Sequence, residues 1–139
     1  MSKSILLKGK VENMAKKKVL LIGIDPKLID PNLSTATGWD ANRVRAAAQD
    51  TNKRLMDLGY EVQGCFVDLG ETAESVVSDT LSREKFDCII VGPGIRALPQ
   101  HTLLFEKIIN TIHQKASPAS KISFNTNPGD TVEAVLRWM

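Results

Sequence analysis

"KVLLIGI", residues 18–24, is the stretch on which the fold turns. Five of its seven residues are Val, Leu or Ile, with no apolar–polar alternation. A continuous apolar run of this kind marks a strand covered on both faces, as in a parallel sheet with helices on each side. "FDCIIVG" (86–92) repeats the pattern and reads as a second central strand. The other two strand patterns are weaker. "YEVQGCFVDL" (60–69) alternates and carries Gly64 inside, which suits an edge strand, and "KISFNT" (121–126) is short.

Helical patterns separate these strands. In residues 41–58, Val44, Ala48, Leu55 and Leu58 recur at three- and four-residue steps, with Asp40 placed to cap the start and Gly59 to end it. A second helix begins after Gly70, with Thr72 as its cap and Val76, Val77 and Leu81 on one side. A third covers about 101–115, with Leu104, Phe105, Ile108, Ile109 and Ile112 on one broad arc. Asp130-Thr131-Val132-Glu133 reads as a capping box opening a last short helix. Strand–helix alternation predicts a parallel sheet with right-handed crossovers. Two central strands, the first and third, predict the order 2-1-3-4. The expected fold is a three-layer doubly wound α/β domain, a flavodoxin-like sheet short of its fifth strand.

The 139 residues form one domain by length, with enough chain to bury a core without disulfides or metal. A net charge of +2 argues against nucleic acid, and the apolar runs are far too short to span a membrane. Cys65 and Cys88 fall in strand patterns and read as packing residues, with chemistry as the alternative. No signal peptide is recognisable, so the cytoplasm is the expected compartment. "MAKKKVLLIG" from Met14 has the form of a natural start. Residues 1–17 are therefore either a flexible leader or, through "SILLKGKV", an added edge strand, and 18–139 are the domain.

In doubly wound sheets ligands bind beyond the carboxyl ends of the strands, where the winding reverses. The loop from Asp25 to Trp39, Asp68, "GPGIR" (92–96) and "NTNPGD" (125–130) converge there. Gly92 and Gly94 let backbone approach a ligand, and Arg96 is suited to phosphate or carboxylate; the alternative is a structural turn with a surface arginine. Asn125, Thr126 and Asn127 offer amides and a hydroxyl, or simply form a turn into a helix. Asp25 ends the first strand. "STATG" (34–38) looks like an FMN phosphate loop, but nine residues separate it from the strand and Asp40 would repel the phosphate. Aromatic walls are also lacking there apart from Trp39. FMN is disfavoured and no cofactor is expected. The long loop is either a lid or a self-packed cover.

Complete catalytic motifs are missing. No cysteine has an arginine five residues on, no acidic pair follows the first strand, and His101 and His113 have no metal-ligand spacing. There is no nucleophile elbow and no Walker loop. Asp25, Asp68 and His101 remain as acid–base candidates, each with a structural alternative.

Taken together, "LIGIDPKLID", "VDLGETAESVV", "FDCIIVGPGIR", "LLFEKIIN" and "FNTNPGDTVEAVLRW" resemble a group of short single-domain bacterial proteins of unassigned function with a flavodoxin-like, Rossmann-like fold. The resemblance covers about residues 18–139. It implies one compact cytoplasmic domain and carries over no catalytic residue. The expected function is binding of a small anionic ligand, a phosphorylated one included, at Asp25, Gly92, Gly94, Arg96, Asn125, Thr126 and Asn127, with no metal. The alternative is a non-catalytic regulatory or interaction module of receiver-like shape, a homodimer through its open sheet edge.

Overall fold

The computed structural model describes residues 16–29 and 38–139. The sheet is built from β1 (Lys18–Ile24), β2 (Glu61–Val67), β3 (Cys88–Val91) and β4 (Lys121–Phe124). All pairings are parallel and the order is β2-β1-β3-β4, as expected from the two apolar runs. Val19 sits between Val62 and Cys88, which fixes the register of β2, β1 and β3. The helices are α1 (Ala41–Asp57), α2 (Ala73–Arg83), the short α3 (Pro93–Arg96), α4 (Thr102–Lys115) and α5 (Thr131–Leu136). None of the helices among the described residues is long and apolar enough to cross a membrane.

Strand periodicity divides the core into two layers. Leu20, Ile22, Cys65, Val67, Ile89 and Val91 point to one face, where α2, α3 and α4 close over them with Val77, Leu81, Ile95, Leu104, Ile108 and Ile112. The opposite face is thinner. Val19, Cys88 and Ile90 meet Leu55 of α1 and Val132, Ala134 and Val135 of α5. Both cysteines are buried in these layers. Burial, followed by the charge of Asp87, pushes the Cys88 thiol up to about 11, so it packs as an inert apolar group.

Several ends follow the sequence closely. Asp40 caps α1 by accepting the Arg43 amide at 2.8 Å, and Gly59 leaves the helix with φ +93°. Three local expectations change. Thr72 makes no side-chain capping bond; Asp68 reaches across the turn instead and takes the Thr72 amide and hydroxyl. Asp130 and Glu133 form no capping box: Asp130 turns back into its own loop, and Glu133 pairs with Arg54 of α1 at 3.3 Å. Residues 93–101 are not plain loop, because Pro93 and Pro99 each start a short helical turn, the position where a fixed φ and a missing N–H do no harm. "SILLKGKV" and "STAT" (34–37) lie outside the described residues.

Candidate functional site

The turns after β1 and β3 meet above the middle of the sheet. A Cβ on Gly92 would sit 3.3 Å from the Ile22 carbonyl oxygen and 3.8 Å from the Gly23 Cα, so only a residue without a side chain fits this approach comfortably. Behind the turns lies a cavity of about 630 Å³, between α1 and the thinner face of the sheet. That is within the usual range for small-molecule sites.

The hollow has a sequence origin. On this face, β1 presents Leu21 then Gly23, and β2 presents Val62, Gly64 and Phe66. Both glycines leave the floor without side chains. The Phe66 ring covers part of it, its carbons 4.0 and 3.9 Å from where Cβ atoms on Gly23 and Gly64 would be. The roof is α1, whose inner face runs Leu55, Thr51, Ala48, Val44 toward the carboxyl edge. Leu55 is large and fully buried; Thr51 and Ala48 are small, so layer contact is lost toward that edge. Ile29 and Trp39 from the long loop line one side, while Leu28 is exposed. Trp39 also lies against Gly129, whose Cβ would be 3.5 Å from the indole, and under the Arg43 guanidinium at 4.8 Å.

Of the residues singled out from the sequence, Gly92, Gly94, Asn125, Thr126 and Asn127 line the cavity. Asp25 and Arg96 do not. The Asp25 carboxylate accepts the Lys27 amide at 3.0 Å. Arg96 donates through Nη2 to the Asn125 carbonyl and lays its guanidinium 5.2 Å from the Phe124 ring centre, tying the β3 turn to the β4 turn. His101 Nδ1 lies 2.8 Å from the Gly94 carbonyl, which can only accept, so that nitrogen carries the proton. Phe66, Val44, Ala48 and Thr51 were not singled out. The parity of Gly23 and Gly64 with Leu21 and Phe66 on neighbouring strands is the signal that points to them.

Some of the backbone donors after β2 and β4 are already occupied by carboxylates. Asp130 accepts the amides of Thr126 (2.9 Å) and Asn127 (3.1 Å) and the Thr126 hydroxyl. Burial pushes its carboxyl up, but the Thr126 hydroxyl, these amides and the charge of Arg137 outweigh burial and hold it below the usual carboxylate value. Asp68 is held low chiefly by the Thr72 hydroxyl, then by the Gly70 amide. The cavity itself is lined by carbon and by neutral polar groups: no Asp, Glu, Lys, Arg or His is among the described lining residues. None of the described lining side chains is placed to move a proton. Groups of three or more potential metal ligands are also missing among the described residues.

One lining residue is incompletely bonded. Asn125 is 5% exposed and donates through Nδ2 to the Asn127 carbonyl (3.1 Å) and the Thr131 hydroxyl (3.0 Å). The carbonyl partner fixes which end of the amide is nitrogen. Its Oδ1 is buried without a partner, as is Nε of Arg96. No protein-family model matches the chain, and no curated protein or solved structure matches it.

Proposed function

We propose that this protein binds a small molecule in the crevice at the carboxyl ends of β1 and β3. The observation that carries the reading is the cavity of about 630 Å³, walled by Leu21, Val44, Ala48 and Phe66 and edged by Gly92, Gly94 and Asn125. Large carbon-walled hollows with a few convergent polar groups are the usual form of a ligand site. An anionic group on the ligand, anticipated from the generic geometry, has to compete here with Asp130 for the Thr126 and Asn127 amides. Arg96 would have to leave the Asn125 carbonyl to reach it. The walls therefore favour a ligand held mainly by its apolar body, with any anionic end toward Gly92 and Gly94.

A thermal-shift panel of nucleotides, sugar phosphates, carboxylic acids and uncharged heteroaromatics tests this. A true ligand at one hundred times its Kd adds about 2.7 kcal/mol of stability. If no compound shifts the melting, or if a shift survives Gly23→Val, which fills the floor, the reading fails.

One observation favours the second reading, an interaction module. Ile122 and Phe124 on the β4 edge are exposed, as are Leu136 and Trp138 on either side of Arg137, which donates to the Phe124 carbonyl at 2.7 Å. Light scattering across a hundredfold concentration range separates the readings: a stable dimer favours this surface, a monomer the crevice alone.

A further inference from the structure

We infer that the crevice takes a planar aromatic ring, laid flat on the open face of the Phe66 ring. This rests on the small-molecule reading above and names the shape of the group that is held, whatever charge the rest of the ligand carries. Strand parity puts the Phe66 ring on the floor. Gly23 is the cross-strand partner of Phe66, and Gly64 precedes Phe66 by two, so all three share one face of β1 and β2. Cδ1 of Phe66 stands 4.0 Å from the Cβ position of Gly23, and Cε2 stands 3.9 Å from that of Gly64. These carbons are diametrically opposed in the ring. The ring therefore stretches across both glycines instead of standing on one.

Apart from chain neighbours, no other described atom lies within 4 Å of either Cβ position. One face of the ring thus covers bare backbone, and the side chain is still 53% exposed while lining the cavity. Across the cavity α1 presents Ala48 and Thr51, both small, so the roof stays back from the ring. A ring surface facing a wall of small side chains makes a slot. Offset stacking of a second aromatic ring fills such a slot over its whole face and gains attraction beyond the area it buries. A saturated ring is thicker and meets the phenyl face only through its axial hydrogens.

Two matched pairs test the class by calorimetry on the full chain. Quinolin-2-one and octahydroquinolin-2-one are both uncharged lactams; naphthalene-2-carboxylate and decahydronaphthalene-2-carboxylate are both anions. The saturated member of each pair is the more apolar, so burial of area alone favours it. Stacking reverses that order: whichever charge the site accepts, the flat member should bind about fivefold more tightly. Phe66→Leu keeps apolar bulk and removes the ring face. It should bring the ratio within each pair close to one, with thermal melts confirming the fold. Phe66→Tyr retains a ring and should keep the preference. Equal binding of flat and saturated members, both abolished by Gly23→Val, overturns the inference and leaves the crevice reading standing. A flat-ring preference that survives Phe66→Leu, or is lost in Phe66→Tyr, overturns the assignment to Phe66. If none of the four compounds binds, the inference falls, and the wider thermal-shift panel decides the crevice reading separately.

Discussion

The two faces of the sheet are made by the same four strands yet differ in kind. On one, Ile and Val from β1 and β3 meet α2, α3 and α4 in a continuous layer that includes Leu104, Ile108 and Ile112. On the other, the layer is closed at the amino ends by Val19, Leu55 and Val135 and opens toward the carboxyl ends over Gly23 and Gly64. Alternation along a strand gives each face its own residue set, so one face can be filled for stability while the other is left hollow for a guest. In this protein stability and the candidate site are thus separated by side-chain parity rather than by distance.

The strongest test of that separation is a truncation in the filled layer. Ile108 is fully buried on α4, and Ile108→Ala should cost roughly 2–5 kcal/mol in urea unfolding. Ligand affinity measured on the folded fraction should be unchanged, since Ile108 does not line the cavity. A change in affinity would mean that the two faces are coupled.

A matched pair measures the contrast directly. Val77 on α2 is fully buried, whereas Val44 on α1 is half-buried over the hollow. Val77→Ala should cost about 1–2 kcal/mol, the loss of two buried methyl groups and a small void less the better helix propensity of Ala. Val44→Ala should stay within about 0.5 kcal/mol of zero, because little contact is lost and the same propensity gain applies. Equal costs would show that α1 packs as tightly as α2 and that the hollow is filled in solution.

Gly23→Val reverses the sign. The glycine has ordinary extended backbone, a Cβ there stands 4.0 Å from the nearest Phe66 carbon, and Phe66 is exposed enough to give way. The replacement restricts the unfolded chain and places a β-branched residue in a strand, so stability should rise by about 0.5–1 kcal/mol while binding is lost. A destabilised variant would mean that the floor already carries contacts a larger residue must break.

Much of this contrast could be read from the chain. The uninterrupted runs around Leu20 and Ile89 demanded cover on both faces, and that alone placed β1 and β3 at the centre. Asp40 and Gly59 marked the ends of α1 because capping is local chemistry. The meeting of the glycine turn at 92–94 and Asn125 beside the crevice was legible because strand ends converge by topology. Phe66 and Thr51 were not, since their role depends on how closely two layers pack. Nor was the behaviour of Asp130, whose carboxylate chooses between the amides of α5 and those of its own loop. Its backbone at φ −113°, ψ 23° and the turn through Pro128 decide for the loop.

The smallest expected effect concerns the rim that joins the two faces. Asp130 ends up below the usual carboxylate value in the folded protein, so the folded state binds its proton less readily than the unfolded chain does. The resulting stabilisation is complete above the unfolded value near 3.8 and is lost as pH falls through the folded one. Asp130→Asn cannot titrate and accepts the Thr126 and Asn127 amides without charge, so it should be less stable than the parent at pH 7. The two proteins should then converge toward pH 2, the variant showing the shallower acid limb in thermal melts. Parallel limbs would mean that the rim carboxylate contributes nothing through its charge. The amides of 126 and 127 would then be open to an external anion after all, and the contrast between a carbon-walled crevice and its carboxylate-filled rim would fail.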